Sequence, residues 1–484
     1  MLRVPSGKSL TQKTPDPDLN LNPDPPLPTG ALRPLFALAL PVMAEESLNL
    51  LVGYTDWYLA GHFLPGEEPK AAMGLMSYVL WILPTLCSLI SIGAVALVAR
   101  FVGAGMRKEA SHVVNQAMLL GIVAAGVGIV FFMAGGQWFV SAMQLRPEAA
   151  ELALRYIRIM TPAIPAIMLE QIGSACLRGS GDAVTGLIAR VVLNAVNMLL
   201  ATAFVTGWGP FPNLGWDGLA IGTATGHMIG GLIILGMLLR GRNGMQLTIG
   251  WPRPDWTTIR RLHRIGLPGG FDATSVVVCH LIYVSIINAL GTKATAAHGL
   301  ALQIEALAYL PGSAFHVAAA TLAGQALGAG QPQRAVRSVT TAAICGVVVM
   351  SLAGLLFYFA GEHLAQFFIG SPTELTRHSG NLLKIVACGC PALALLNVLT
   401  GGLRGSGDTR VPLAITFIGL VGIRIPLACF LAWDQIPLPF TEGTLSGLGF
   451  GVEGAWLAMV IDASVRSQLV LWRFWQGGWT KVKV

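Results

Sequence analysis

Several acidic residues lie inside long apolar stretches of the sequence, where charged side chains are rare, among them Glu45, Asp56, Asp272 and Glu305. A charged side chain at the centre of a membrane helix costs roughly 2.5–3.5 kcal/mol or more, so such residues usually serve a function or are paired. A carboxyl group in such a place can take up and release a proton or hold a cation. These residues are therefore the first candidates for chemistry.

The stretches that carry these residues have the composition of membrane helices. Of the 484 residues, 54% are hydrophobic and only 11% are charged, against about 25% charged residues in soluble domains. Apolar runs of about 20 residues, the length that spans a bilayer core, recur along the chain. We predict an all-α integral membrane protein that crosses the bilayer many times.

One hexapeptide, Leu-Arg-Gly-Ser-Gly-Asp, occurs twice, at 177–182 and at 403–408, which are 226 residues apart. The tripeptide Gly-Ala-Gly keeps nearly the same spacing, at 103–105 and at 328–330. Matches in register predict two copies of one unit. A duplicated hydrophobic chain is typical of transporters with two pseudo-symmetric halves.

We predict twelve transmembrane helices, in two pseudo-symmetric six-helix bundles at 30–239 and 257–484, joined by a cytoplasmic linker at 240–256. Residues 1–29 are rich in Pro and Asp and are expected to form a disordered cytoplasmic tail. The expected helices are 31–61, 70–102, 110–142, 149–176, 184–206, 216–239, 257–290, 296–327, 334–366, 376–402, 409–433 and 448–474.

The distribution of Lys and Arg predicts that both termini are cytoplasmic. With twelve helices, most of the 31 Lys and Arg residues fall on the side of the termini. The outer loops hold only Lys70, Arg146, Lys293 and Arg377. Such a bias marks the cytoplasmic side of a membrane protein. The net charge of +7 is thus an orientation signal and an attraction to anionic lipid, and predicts no nucleic-acid partner.

Several classes of function are disfavoured. The seven cysteines show no paired spacing, so neither a disulfide framework nor a zinc site is predicted. The sequence has no GxxxxGK[ST] loop for ATP and no loop cluster of His, Asp or Glu. We therefore expect no cofactor, no metal centre and no enzymatic activity.

Three further motifs add to the two repeats. They are Ala-Ala-Ala-Thr-Leu-Ala-Gly-Gln-Ala-Leu-Gly-Ala-Gly at 318–330, Asp-Trp-Tyr-Leu-Ala-Gly-His at 56–62 and Arg-Ile-Pro at 424–426. Together with a Gly-Ala-Gly loop after the second helix of each half, they resemble the multidrug and toxic compound extrusion (MATE) family. The chain is most similar to its prokaryotic branch named for DNA-damage-inducible protein F, from about residue 31 onward.

The resemblance implies a secondary active antiporter of the inner membrane that exports lipophilic organic cations, including drugs, in exchange for H⁺ by alternating access. The protein would be a multi-pass monomer in the lipid bilayer. Na⁺ as the coupling ion stays open. A flippase for lipid-linked precursors is a third possibility, which the mainly acidic mid-membrane charges disfavour.

The resemblance also implies that Asp56 is the ion-coupling carboxylate, for H⁺ or, in the alternative, for Na⁺. Asn197 and Thr223 match polar positions that family members place beside it, and Asn194 lies one helical turn before Asn197. Many relatives have a second carboxylate where this chain has Ala201. Coupling would therefore depend on one carboxylate.

Candidates for the substrate cavity come from both halves. Glu45 and Asp272 occupy equivalent positions and, facing a central cleft, would suit cationic substrates; the alternative is burial against a donor on a neighbouring helix. Glu305 resembles an acidic position common in this branch. Gln171 and its mate Asn397 are expected to add polarity to the cleft.

The hexapeptide loops contribute Arg178 and Asp182 in the first half and Arg404 and Asp408 in the second. They lie at the predicted cytoplasmic ends of the fourth and tenth helices. There they could pair with each other or with lipid phosphates. We interpret them as a clamp or topology anchor rather than as direct contacts to substrate.

Overall fold

The computed structural model describes residues 29–143, 146–248, 253–369, 373–437, 444–482 and 484. The predicted tail at 1–29 lies outside these residues except for Thr29. The described chain is almost wholly helical, as long apolar runs require, because a helix satisfies all its backbone hydrogen bonds within one segment.

The helices fall into two consecutive sets, here called the first half (α1–α7) and the second half (α8–α14). The first half comprises α1 Thr29–Phe63, α2 Glu68–Gly103, α3 Arg107–Ala142, α4 Pro147–Met160, α5 Ile164–Ser180, α6 Val184–Thr206 and α7 Trp216–Leu239. The second half comprises α8 Trp256–Asn288, α9 Thr292–Gly328, α10 Pro332–Ile369, α11 Glu374–Gly405, α12 Arg410–Phe417, α13 Ile425–Ala432 and α14 Gly451–Trp475. A hairpin of β1 Gln435–Pro437 and β2 Thr444–Ser446 precedes α14.

The predicted helix count is confirmed once two interrupted helices are each taken as one span. A 3-10 turn at Thr161–Ala163 joins α4 to α5, and a π-helical segment at Ile418–Arg424 joins α12 to α13. Within the described residues, eleven spans are long and apolar enough to cross a membrane. The twelfth, α14, has 25 residues but also contains several charged side chains.

The two halves repeat their helix geometry as well as their motifs. Pro41 lies inside α1 and Pro268 lies inside the equivalent α8. Pro84 inside α2 and Pro311 inside α9 form a second such pair. Proline lacks a backbone N–H, so equivalent helices each lose a helical hydrogen bond at equivalent places.

The halves are joined at one end of the molecule and have separate cores at the other. At the end that carries the two hexapeptide turns, here called the basic end, one buried cluster combines Leu38 and Val42 of α1 with Ala319 and Ala323 of α9. At the opposite end, one core lies wholly in the first half and another wholly in the second. The apolar cores of the two halves are therefore separate away from the basic end, where Tyr54 of α1 still donates to Oε1 of Gln303 on α9 at 2.8 Å.

Two glycines allow the close contact at the basic end. A Cβ atom on Gly103 of α2 would overlap the carbonyl oxygen of Gln325, and one on Gly328 of α9 would overlap that of Arg100. These glycines belong to the two Gly-Ala-Gly copies. The repeat thus supplies both sides of one helix–helix contact, since small residues let backbones approach closely.

Each hexapeptide turn is also held by the other half. Arg100 of α2 donates to the carbonyl of Ser406 at 3.0 Å. Thr321 and Gln325 of α9 donate to the carbonyls of Arg178 and Gly179, both at 3.1 Å. These carbonyls lie at the ends of α5 and α11, where the regular hydrogen bonding of a helix runs out. At the basic end, side chains of each half therefore satisfy carbonyl groups in the hexapeptide turn of the other half.

Candidate functional site

Asp56 lies in the interior of the first half, near the end of α1 that is farthest from the basic end. Its residue is only 1% exposed. Thr223 of α7 donates a hydrogen bond to Oδ2 at 3.0 Å, and the Tyr156 hydroxyl of α4 lies 3.5 Å from the same oxygen. The other oxygen, Oδ1, is buried without a hydrogen-bond partner among the described residues. The carboxyl group is thus held by neutral donors.

Three of the four residues expected at this site come together. Asn197 of α6 donates to the Thr223 hydroxyl at 2.9 Å, so Asn197, Thr223 and Asp56 form a chain of hydrogen bonds. Asn194 does not join them, because its amide donates to the carbonyl of Arg190 in its own helix. Tyr156 was not predicted; α4 lies far away in sequence, and no spacing indicates which of its residues faces Asp56.

Glycines on α7 bring the polar residues of α6 and α7 together. A Cβ on Gly222 would lie 2.7 Å from the Cβ of Ala201, and a Cβ on Gly226 would lie 2.9 Å from the carbonyl oxygen of Leu193. Ala201 is fully buried at this contact. The polar residues of α6 and α7 therefore belong to a tightly packed helix pair that lies beside Asp56 of α1.

Glu45 and Asp272 do not present free carboxylates to the space between the halves. Arg178 donates to Glu45 at 2.9 Å, and Arg404 donates to Asp272 at 2.6 Å. Both acids are almost fully buried. The alternative of burial against a donor on a neighbouring helix is what the structure shows, since a buried carboxylate needs a cation or several donors to offset its lost hydration.

The charged residues of the hexapeptide turns do not pair with each other as expected. While the two arginines reach into the helices, Asp182 pairs with Arg242 at 2.8 Å and Asp408 pairs with Arg473 at 2.7 Å. Asp182 also accepts the backbone N–H and the hydroxyl of Thr185, so it caps the start of α6. Burial alone would raise the pKa of Asp182, but the hydrogen bonds from Arg242 and Thr185 outweigh it and hold the pKa below its usual value.

The remaining cavity candidates lie apart from Asp56. Glu305 of α9 is partly buried and lies near enough to Arg424 for electrostatic interaction. Asn397 of α11 is partly buried, and the Tyr309 hydroxyl lies 3.5 Å from its Oδ1. Gln171 is partly buried on α5. In the part of the chain that the structure describes, no group of three His, Cys, Asp or Glu side chains is placed to hold a metal ion.

Comparison with known proteins decides the family. A family model described as MatE matches the chain twice, over residues 41–202 and residues 268–430. The chain is a MATE-family transporter. It is therefore a membrane transport protein and not an enzyme, and the two matches at equivalent positions confirm the duplication read from the repeats.

Relatives with names and solved structures agree with this assignment over nearly the whole length. The chain is 27% identical to the probable multidrug resistance protein NorM of Thermotoga maritima, over 92% of this chain and 93% of that protein. It is 24% identical to the multidrug resistance protein MdtK of Yersinia pseudotuberculosis, over 91% and 94%. A solved structure of a multidrug resistance MATE family transporter in an outward-facing conformation has the same fold, with a TM-score of 0.83 at 20% identity over 94% of this chain and 97% of that one.

Proposed function

We propose that this MATE transporter is a multidrug efflux antiporter of the inner membrane that exports lipophilic organic cations in exchange for H⁺. The names of its relatives NorM and MdtK support drug export. The basic end would face the cytoplasm, with both termini on that side, and the chain would act as a monomer. The end at which the two halves have separate cores would then face the outside.

The observation that carries H⁺ coupling is the contrast between Asp56 and the other buried carboxylates of the first half. Glu45 and Glu170 each have an arginine partner, Arg178 and Arg190. The described structure gives Asp56 only neutral donors on one oxygen. A buried carboxylate without a cation is costly, whereas the protonated acid is not. Proton uptake at Asp56 therefore changes the buried charge of this half.

Alternating access would couple that change to export. In the outward-open form, protonation of Asp56 from outside would remove the negative charge that favours a bound cation. The cation would leave, and the protonated site would be able to return toward the inside. The proton gradient would supply the energy, at about 2.3 kcal/mol for each charge moved across 100 mV.

Na⁺ coupling at the same place is the second candidate, and one observation favours it. The side-chain oxygen Asn197 Oδ1 and Asp56 Oδ1 are both buried without a hydrogen-bond partner among the described residues. Together with the hydroxyl of Thr223, they are oxygen ligands of the kind that hard cations prefer.

Ethidium efflux from cells or vesicles, scanned for dependence on pH and on Na⁺, tests the proposal. H⁺ coupling predicts that an imposed pH gradient drives efflux in the absence of Na⁺. Asp56→Asn, which keeps the shape of the side chain, should abolish gradient-driven efflux while the protein stays folded. Unimpaired efflux by this variant would reject the assignment, and efflux that requires Na⁺ would favour the second candidate.

A further inference from the structure

Glu170, Arg190 and His227 form a buried ionic cluster in the first half. Glu170 lies on α5, and its Oε1 is 3.0 Å from Nη2 of Arg190 on α6. Its Oε2 is 2.8 Å from Nδ1 of His227 on α7. Glu170 and Arg190 are buried, and the His227 side chain is 12% exposed. Arg190 therefore balances the carboxylate before His227 binds any proton.

The hydrogen bond to Glu170 determines which nitrogen of His227 can take a proton. An ionised carboxylate only accepts hydrogen bonds, so Nδ1 of neutral His227 carries the hydrogen and donates it. Nε2 is then the unprotonated nitrogen. A proton that binds Nε2 produces an imidazolium whose opposite side already faces a carboxylate.

This cluster begins one helical turn from the Asp56 site. His227 follows Thr223 by four residues on α7, so the two lie on one face of the helix, about 6 Å apart along its axis. Thr223 is the residue that donates to Asp56. A Cβ on Gly230, in the next turn, would lie 3.5 Å from Cδ of Glu170. Gly230 thus lets α7 approach Glu170 closely, while Thr223 on the same helix contacts Asp56.

The charges of the cluster allow one proton to reside either on Asp56 or on His227. With the proton on Asp56, His227 is neutral and Glu170 is balanced by Arg190. With the proton on His227, Asp56 carries one negative charge and the imidazolium carries one positive charge, so the total charge is unchanged. Besides Arg190 and His227, titratable groups near enough to Glu170 for electrostatic interaction include Arg178, also on α5, and Cys87 on α2.

We propose that His227 is a second station for the coupling proton. In this step the O–H bond of the Asp56 carboxyl breaks and an N–H bond forms at Nε2 of His227, which leaves a carboxylate and an imidazolium. When this half opens toward the inside, the Nε2–H bond breaks and the proton passes to water on that side. The inference rests on the proposed H⁺ coupling, and it gives a second proton position to a site in which Asp56 is the one carboxylate that the described residues provide. His227 acts through Asp56 and does not contact substrate.

Two transport modes of the purified full-length protein in proteoliposomes test this role. One is ethidium transport driven by a pH gradient, which requires proton transfer; the other is exchange of labelled for unlabelled ethidium, which does not. His227→Gln should lower driven transport about tenfold or more and leave exchange within about twofold of wild type. The matched control is His298→Gln, because Trp456 donates to Nδ1 of this buried histidine at 3.1 Å and a glutamine oxygen can accept the same bond.

A more conservative variant covers the case in which His227→Gln does not fold. Glu170→Asp keeps the charge that Arg190 needs but withdraws the carboxylate from His227, so the imidazolium is stabilised less. Driven transport should then become half-maximal at a lower pH, with exchange unchanged. An unchanged pH profile would overturn the proposal.

The outcomes separate this inference from the proposed function. Equal loss of driven transport and exchange in His227→Gln means a structural role and overturns the station, as does normal driven transport. If wild type shows no proton-driven transport, or if Asp56→Asn retains it, the proposed function itself fails. If Asp56→Asn is inactive and His227→Gln is normal, only the station fails.

Discussion

Asp56 and Glu45 lie about three turns apart on one face of α1, yet their surroundings differ. Arg178 pairs with Glu45, while Thr223 and Tyr156 give Asp56 only hydroxyl donors. A cation fixes a carboxylate in its charged form, whereas neutral donors tolerate both forms. At the scale of single residues, the partner and not the acid itself therefore distinguishes a structural carboxylate from one whose charge can change.

The Thr223 hydroxyl should matter more than its size suggests. Thr223→Val removes the shorter hydrogen bond to Asp56 and the acceptor for Asn197, and leaves buried polar groups unsatisfied at a cost of about 1–3 kcal/mol. We expect gradient-driven ethidium efflux to fall severalfold and the melting temperature of the purified protein to fall. The control is Thr161→Val, since this buried hydroxyl donates only to the carbonyl of Ile157 in the preceding turn. Equal effects of the two substitutions would contradict the assignment.

Some of this site could be predicted from the sequence. Asp56, Asn197 and Thr223 were identified through the family resemblance, and the structure joins them. Asn194 was placed beside them from helical spacing alone, but its amide instead bonds to the Arg190 carbonyl. Tyr156 was missed because its contact joins residues 100 positions apart, and helical periodicity carries no information about partners on other helices.

At the scale of helices, the contact between α2 and α9 at the basic end depends on glycines. A side chain at either glycine would push the two helices apart. Gly328→Ala would place a methyl group on the carbonyl of Arg100, so it should favour forms in which α2 and α9 are separated at this end. Spin labels at Met106 and Gln331, on a cysteine-free background, should report longer distances in this variant. Gly126→Ala on α3 is the control, because a Cβ there meets no atom within 4 Å. Identical distance distributions in both variants would refute the role given to Gly328.

The turn between α5 and α6 provides a pH-dependent prediction outside the membrane. Asp182→Ala removes the cap on α6 and the partner of Arg242, and should cost about 1–2 kcal/mol of stability at neutral pH. The pKa of Asp182 is held below its usual value. Its contribution is therefore present above the unfolded value of about 3.9 and is lost as the pH falls through the folded value.

Thermal unfolding of wild type and Asp182→Ala, from neutral pH down to below the pKa of Asp182, measures the contribution of this carboxylate to stability. The difference in melting temperature should be largest near neutral pH and should shrink in acid. Glu109→Ala, at an exposed position near the start of α3, serves as the control for loss of one acidic charge. A difference that grows as the pH falls would have the wrong sign for a depressed pKa.

At the scale of the whole molecule, the duplication was the most informative feature of the sequence. It predicted the helix count and the equivalence of Glu45 with Asp272, because a repeat constrains both copies at once. It did not predict that each acid pairs with the arginine of its own hexapeptide, although Arg178 and Arg404 had been identified. That pairing links positions 133 and 132 residues apart, and only the packed bundle brings them together.

The two buried ion pairs provide a test of this equivalence. Arg178→Met leaves Glu45 buried without a cation and should destabilise the protein by roughly 3 kcal/mol, whereas the double variant with Glu45→Gln should recover most of the loss. Arg404→Met and Asp272→Asn should behave in the same way in the second half. Because the two pairs share no partner, losses in the two halves should be additive.

Melting temperatures of the single, double and quadruple variants measure these losses of stability. The data form two double-mutant cycles, one for each acid–arginine pair. Recovery in both cycles, with coupling of similar size, would show that each half is stabilised by its own acid–arginine pair. If the double variants were no more stable than the single arginine variants, the arginines would stabilise the basic end through other contacts. If only one cycle showed coupling, the duplicated pairs would have diverged in role, because identical geometry in equivalent surroundings should give comparable energies.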